Sequence, residues 1–207
     1  MQNLNTIVSS ARGELEATYQ SREKALAHGR ALTRTCANAI RAMHRGELGD
    51  ARAAVTGAQA EAAQVAVALT DYPELLYAGY VQDAHKELAE AACLLALIEG
   101  TDLPTPESLG IESAAYLNGL AEAASEGRRH ALDALRKGEH ARAESTLTTM
   151  DEILSALATV DFPDAVTSGL RRTCDALRAV VERTRGDVTM AVVQDRLMRS
   201  LTPESTG

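Results

Sequence analysis

Residues 22–47 read REKALAHGRALTRTCANAIRAMHRGE, and this stretch decides the fold class. Small and apolar side chains recur three or four residues apart, which is the spacing of one face of an α-helix. The pattern predicts a long helix from about residue 5 to residue 45, ended by the glycines of GELGD (46–50). The positions expected to face the core are Ala25, Leu32, Cys36, Ala39, Ile40 and Met43.

The composition extends this helical prediction to the whole chain. Hydrophobic residues make up 45% of the 207 residues, but alanine dominates them, with one Phe and no Trp. Such a composition favours closely packed helices over a β-sandwich or barrel. We predict an all-α fold: a single-domain bundle of about six to seven antiparallel helices over residues 1–207, with residues 202–207 as a disordered tail.

Turn and capping residues place several helix ends. Asp71 is expected to cap the N-terminus of a helix that runs to about residue 99. Thr105 before a proline predicts a short capped helical turn. Gly186 is expected to separate a helix over about 164–185 from a last short helix over 187–201.

Cysteine usage and hydropathy bear on the cell compartment. Cys36, Cys93 and Cys174 are odd in number and far apart, so we expect buried or half-buried thiols rather than disulfides or a metal knuckle. The start MQNLNTIVSS lacks the basic and apolar regions of a signal peptide, and no apolar run is long enough to span a membrane. These features predict a soluble cytoplasmic protein without a membrane partner.

The charge of the chain is unevenly distributed. A formal net charge of −8 argues against a simple cationic nucleic-acid binder. Residues 22–45, however, contain six basic residues and a single acid. Four arginines, with His44 alongside, fall within about 60° of one another on the predicted helix: Arg30, Arg34, Arg41 and Arg45. This basic stripe suits a phosphate backbone, and the alternative is a solvated surface that only keeps the protein soluble.

Glu87 and Glu90, in VQDAHKELAEAACLL, place two carboxylates on one side of a helix. Glu87 interrupts an apolar stripe on the helical wheel, where a carboxylate is costly unless it is paired, protonated or bound to a cation. A divalent cation and an arginine from a neighbouring helix remain equally open as the partner of Glu87.

Glu122 and Glu126 form a second acidic pair, on a predicted face that also carries Asn118 and Arg129. The core side of that helix is expected to be the opposite one, so the pair by itself needs no explanation beyond solvation. Together the two pairs offer four oxygen ligands on successive long helices, the ligand type that Mg²⁺ and Mn²⁺ prefer. Carboxylate-bridged di-iron chemistry is disfavoured, because neither pair contains the Glu-x-x-His motif.

At these residues the chain resembles the translin/Trax family. KELAEA (86–91) is similar to the Trax motif of form QEYVEA, and YLNGLAEAASEGRR (116–129) to the Trax segment of form YVLGVADLTGELMR. REKALAHGRALTRTCANAIRAMHRGE resembles the family's basic first helix. The chain departs from these motifs at Glu122, which stands where Trax has Asp, and at Leu88, which stands where Trax has an aromatic residue. Its short length and retained acids suggest an archaeal or bacterial Trax-like protein.

The resemblance implies a function. It predicts an RNA-binding, Mg²⁺- or Mn²⁺-dependent endoribonuclease that cleaves single-stranded RNA inside a homo-oligomeric shell of six to eight subunits. The implied catalytic and metal-binding residues are Glu87, Glu90, Glu122 and Glu126. The implied RNA-binding residues are Arg30, Arg34, Arg41, His44, Arg45 and Arg129. We expect the segment 188–201 to contribute to the assembly.

Two alternatives stay open. One is a translin-like protein that binds RNA or single-stranded DNA without cleaving it. The other is a helical scaffold without enzymatic activity, in which every charge is only solvated.

Overall fold

The protein, seen here as a computed structural model, is described over residues 3–201 and is helical throughout, with no β-strand in that range. Its helices are α1 (Leu4–Arg45), α2 (Leu48–Ala68), α3 (Gly79–Glu99), α4 (Pro106–Leu109), α5 (Ser113–Arg136), α6 (His140–Leu157), α7 (Asp164–Thr167) and α8 (Leu170–Leu201), with a 3₁₀ helix at Pro73–Tyr77. The predicted all-α class is confirmed. The predicted tail, residues 202–207, lies outside the described residues.

The helices are arranged around α5. Helix α1 packs against α2 and α3, while α5 packs against α3 on one side and α6 and α8 on the others. Gly46 makes the tight turn between α1 and α2, because its φ of 78° lies in the left-handed region that glycine adopts without strain. The crossing of α3 and α5 is the part of this arrangement that positions the functional site.

The core is made largely of alanine and mid-sized aliphatic side chains. Ala39, Ala89, Ala121 and Ala123 are fully buried beside larger residues such as Leu88. Small side chains let helix axes approach closely, so many facing alanines bring backbones and their polar side chains near one another. Cys36, Cys93 and Cys174 are all buried and free, as predicted.

Two predicted helix boundaries are wrong. Asp71 does not cap a helix: the next residues form the 3₁₀ turn, and α3 begins only after Ala78, whose ψ of 141° is extended. Leu75 and Leu76 of that turn pack against a small hydrophobic cluster of α1, α2 and α3, and this tertiary packing prevails over the capping signal.

Gly186 likewise does not end a helix. Helix α8 runs continuously from Leu170 to Leu201, and the break falls earlier, where Ser168 and Gly169 have φ values of 53° and 83°. Thr184 and Val188 are buried on either side of the glycine, and their packing outweighs its helix penalty of about 1 kcal/mol. The predicted cap at Thr105 is confirmed, since its side chain accepts a hydrogen bond from the Ser108 amide.

Two helical segments expose apolar side chains. Residues 4–20 of α1 have almost no buried side chain, and Leu4, Ile7, Val8, Leu15 and Tyr19 are exposed there. In the C-terminal segment expected to contribute to an assembly, Val188 is buried, while Val193, Leu197 and Leu201 are exposed. Both segments therefore offer apolar surface beyond the main core.

Among the helices of residues 3–201, none combines the length and the apolar character that crossing a membrane requires.

Candidate metal centre and nucleic-acid groove

Three glutamates meet where α3 crosses α5. Glu87 and Glu90 project from α3 and Glu122 from α5, and one carboxylate oxygen of each lies within 4.8 Å of the other two. All three side chains are half-buried. We call these three residues the glutamate cluster.

Gly119 makes this meeting possible. A Cβ atom at this position would lie 2.4 Å from the Lys86 carbonyl oxygen, 2.6 Å from the Ala89 Cβ and 2.9 Å from the Glu90 nitrogen. Those distances are far below the contact distance of about 3.5–4.0 Å for carbon atoms. Only glycine therefore lets the α5 backbone rest on α3 at the turn that carries Glu87 and Glu90.

The carboxylates of the glutamate cluster are partly desolvated and repel one another. Burial, followed by the charges of Glu122, Glu87 and Glu126, raises the pKa of Glu90 to about 8. Burial also raises the pKa of Glu87, partly opposed by Lys86. A cation among these oxygens would relieve that repulsion, so the set of ligand atoms fits Mg²⁺ or Mn²⁺ well.

Lys86 supplies one positive charge at the cluster. Its Nζ lies 2.8 Å from Glu122 Oε1, and both side chains are about one-third exposed. Burial is the largest single influence on Lys86 and opposes its charged form, but the hydrogen bond to Glu122 together with the charges of Glu122, Glu87 and Glu90 outweighs it, so the pKa of Lys86 is raised. The alternative raised for Glu87, a buried arginine partner, finds no support among the described ion pairs, since none of them joins an arginine to Glu87.

Glu126 stands outside the cluster of three, one turn further along α5. Its Oε2 lies 3.0 Å from Nε2 of His44 near the end of α1. The prediction grouped His44 with the RNA-binding arginines, whereas the structure places it against this carboxylate. Because Glu126 still contributes to the raised pKa of Glu90, its charge acts on the cluster without belonging to it.

The expected polar face of α5 is not simply solvated. Asn118 is buried, where it donates to the carbonyl oxygens of Ala114 and Thr167 and accepts from the Thr173 hydroxyl. Glu122 and Glu126 turn towards α3 and α1 rather than into open solvent, while Arg129 is exposed. Tertiary packing thus makes most of this face an internal surface.

The basic stripe of α1 is exposed, and the structure divides it into two parts. Arg30 and Arg34 line a groove of about 440 Å³ between α1 and α3, whose lining also includes Tyr80 and Glu87. Arg41 donates to the Asn38 side chain 2.6 Å away. The groove therefore connects the first two arginines with the glutamate cluster.

Arg45 belongs to a different surface. It forms an ion pair with Glu47 in the turn between α1 and α2, and the nearest cavity that it lines contains no residue of the cluster. Of the predicted RNA-binding residues, Arg30 and Arg34 share a cavity with the predicted catalytic residue Glu87.

Sequence reasoning missed three residues of this site. Lys86 lies inside the quoted motif KELAEA, and its adjacency to two glutamates is the signal that was available. Gly119 is an isolated glycine inside a helical pattern, which often marks a close backbone approach. Tyr80 lies seven residues before Glu87 on the same side of the helix, and this spacing is its signal in the sequence; its buried hydroxyl has no hydrogen-bond partner among residues 3–201.

Fold and site together define an all-helical protein with a cluster of carboxylates between two crossing helices. No family model matches the chain. A curated relative, an uncharacterised protein of Methanocaldococcus jannaschii, is 28% identical over 181 residues, covering 87% of this chain and 80% of that protein.

Solved structures carry the comparison further. The crystal structure of AfC3PO is 32% identical, with a TM-score of 0.79, and the match covers 90% of this chain and 97% of that one. A complex of AfC3PO with duplex RNA matches with 29% identity and a TM-score of 0.78 over the same shares. Apo-NeC3PO, at 18% identity and a TM-score of 0.79 over 89% of this chain and 96% of that one, shares the fold. The chain belongs to the translin/Trax (C3PO) family.

Proposed function

We propose that this protein binds RNA and cleaves it as a metal-dependent endoribonuclease. The observation that carries the proposal is the convergence of Glu87, Glu90 and Glu122 within 4.8 Å beside an arginine-lined groove. The likeness to AfC3PO, which has been solved with duplex RNA, supports the choice of RNA as ligand.

The groove supplies the binding part of this proposal. The guanidinium groups of Arg30 and Arg34 attract the phosphates of the RNA backbone, and such contacts position a strand without reading its sequence. Because Glu87 lines the same groove, a strand held by these arginines passes next to the glutamate cluster.

The cluster supplies the chemistry. Glu87, Glu90 and Glu122 would hold a Mg²⁺ or Mn²⁺ ion, which when bound stabilises charge on the phosphoryl oxygens. Glu126 accepts a proton from the attacking water, and His44 fixes the orientation of that carboxylate. The water oxygen bonds to phosphorus, the P–O bond to the leaving ribose oxygen breaks, and that oxygen takes up a proton from solvent water.

Oligomerisation completes the proposal. The exposed apolar residues of α1 (4–20) and of the end of α8 provide surfaces through which copies of the chain associate. We propose a homo-oligomer of six to eight subunits, in which the grooves face an enclosed space. Single-stranded RNA is the proposed substrate, with single-stranded DNA as a further ligand, and the cytoplasm is the proposed location.

Cleavage of a labelled single-stranded RNA tests the activity, with the duplex of the same sequence run in parallel. We expect cleavage with Mg²⁺ or Mn²⁺ and none with a chelator. Glu87→Gln and Glu126→Gln should each lower the rate by at least ~10²-fold, the order expected when a metal ligand or a proton acceptor is lost. Full activity in the double variant Glu87→Gln/Glu126→Gln would remove the proposed site.

The role of the groove is tested by binding at two salt concentrations. Arg30→Ala/Arg34→Ala should weaken RNA binding and reduce its salt dependence, because two phosphate contacts are lost. Arg171→Ala/Arg172→Ala removes the same charge from exposed positions of α8 and should leave affinity nearly unchanged. Equal effects of the two double variants would show that the stripe acts only through net charge.

A second candidate function is RNA binding without cleavage. Lys86 favours it, because the ammonium group already satisfies Glu122 without any metal ion. RNA binding together with unchanged RNA in the presence of Mn²⁺ would identify this function.

A further inference from the structure

Lys86 is one of three lysines in the chain, and its side chain bridges α3 and α5 at the glutamate cluster. Lysines stand only at positions 24, 86 and 137, and all other basic side chains apart from histidines are arginines. Lys86 is the lysine whose ammonium group reaches from α3 to a carboxylate of α5, 2.8 Å from Glu122 Oε1. It also interacts electrostatically with Glu87 and Glu90.

The position of Lys86 is fixed by the helix crossing. Its carbonyl oxygen lies directly under Gly119, where a Cβ would approach to 2.4 Å. Its backbone is therefore held against α5 one turn before Glu122, and its side chain extends along the same interface. This second observation shows that the pairing with Glu122 follows from backbone contact and not only from a flexible surface side chain.

Lys86 changes the net charge of the glutamate cluster. Glu87, Glu90 and Glu122 carry three negative charges when ionised, and Lys86 reduces the sum to two. Two negative charges match one divalent cation. Three would leave an excess that favours a second ion, as in sites where two metal ions lie about 3.5–4 Å apart.

The hydrogen bond between Lys86 and Glu122 also favours a single ion in the glutamate cluster. Glu122 Oε1 accepts the hydrogen bond from Lys86, so a further ion that binds Glu122 on the side of Lys86 would have to displace the ammonium group from that oxygen. An ammonium group and a metal ion exclude each other at one oxygen by size and by charge.

We propose that Lys86 is a resident cation of the glutamate cluster, which competes with divalent ions for Glu122 and restricts the site to one ion. This inference rests on the metal site of the proposed function and specifies how many ions it holds. The family motif of form QEYVEA has Gln where this chain has Lys86, so the charge belongs to this chain and not to the motif.

Metal binding tests the proposal on the purified full-length protein after removal of bound metal. Mn²⁺ is titrated into the wild type, Lys86→Gln and Lys86→Arg, with free Mn²⁺ followed by electron paramagnetic resonance. We expect one Mn²⁺ per chain in the wild type and in Lys86→Arg. Lys86→Gln should bind a second Mn²⁺ and hold the first at least ~10-fold more tightly, because a unit positive charge has gone.

Lys137→Gln serves as the matched control, since it removes an exposed lysine at the end of α5 and should leave Mn²⁺ binding unchanged. Circular dichroism confirms that each variant is folded. Lys86→Gln that binds Mn²⁺ with the wild-type number of ions and within twofold of the wild-type affinity would overturn the proposal.

The nuclease assay keeps this outcome separate from the proposed activity. Activity together with unchanged Mn²⁺ binding in Lys86→Gln removes only the role of Lys86. A second Mn²⁺ in Lys86→Gln without any cleavage by the wild type supports the role of Lys86 and removes the nuclease. Absence of Mn²⁺ binding in every variant removes both.

Discussion

Replacement of Gly119 by alanine perturbs the contact on which the whole site depends. The new Cβ would stand 2.4 Å from a carbonyl oxygen and 2.9 Å from a backbone nitrogen of α3. Backbone atoms inside a helix cannot move aside as the end of a flexible side chain can. Helices α3 and α5 must therefore separate by about 1 Å to restore ordinary contact distances.

The expected cost follows from two opposing effects. Overpacking of a well-packed interface costs typically about 1–3 kcal/mol, and a clash with backbone lies at the upper end or beyond. Alanine recovers about 1 kcal/mol through its higher helix propensity. We expect the free energy of unfolding to fall by about 2 kcal/mol, and the melting temperature of a chain of this size to fall by about 4–8 °C.

Separation of the helices also moves Glu122 away from Glu87 and Glu90. A displacement of about 1 Å in a catalytic arrangement lowers rates by up to ~10²-fold. Gly119→Ala should therefore lose most of the RNA cleavage and most of the stabilisation that Mn²⁺ gives to the wild type. The melting temperature measured with Mn²⁺ and with chelator reports both changes in one experiment.

Gly57→Ala is the matched control. Gly57 also lies within a helix, but a Cβ there meets only the Thr35 methyl group at 3.9 Å, an ordinary contact. This variant should be more stable than the wild type by about 0.4–1 kcal/mol. Gly119→Ala that behaves like Gly57→Ala, in stability and in response to Mn²⁺, would refute the close crossing of α3 and α5.

Three further predictions concern other parts of the molecule. The pKa of Glu90 in the folded state is raised to about 8 from an ordinary value of 4.5. Between pH 4.5 and pH 8 the folded protein therefore binds a proton at Glu90 that the unfolded chain has lost. The stability of the metal-free protein should fall as pH rises through this range. Glu90→Gln should remove much of this pH dependence. At pH 8 it should stabilise the metal-free protein by about 2 kcal/mol, a figure reduced for solvent screening, and at pH 4.5 it should have little effect. Equal denaturation midpoints of Glu90→Gln and the wild type at about pH 8 would contradict the repulsion among the glutamates. Gly186→Ala should stabilise α8 by about 0.5–1 kcal/mol, because a Cβ there meets no atom within 4 Å, and destabilisation would show that the helix is broken as its glycine suggested. Light scattering should give at least six subunits for the wild type and a smaller species for Leu4→Asp/Ile7→Asp, while a wild-type monomer at micromolar concentration would exclude the shell.

Much of the local structure was already determined by the sequence. The apolar periodicity of residues 22–47 specifies α1, because helical spacing is a property of neighbouring residues and needs no distant partner. The same reasoning places Glu87 and Glu90 on one side of α3, since residues three apart in a helix always adjoin. The cap at Thr105 belongs to this group as well, because its hydrogen bond spans only three residues.

Only the tertiary structure decided which distant groups meet. Glu122 reaches Glu87 and Glu90 because Gly119 lets two helices approach, and no local pattern reports the distance between helices. Lys86 and His44 look like members of charged surfaces in the sequence, yet Lys86 pairs with Glu122 and His44 with Glu126 across helix interfaces. Tertiary packing also decided where a helix does not end. Local propensity predicts a break at Gly186, but its buried neighbours Thr184 and Val188 keep α8 continuous.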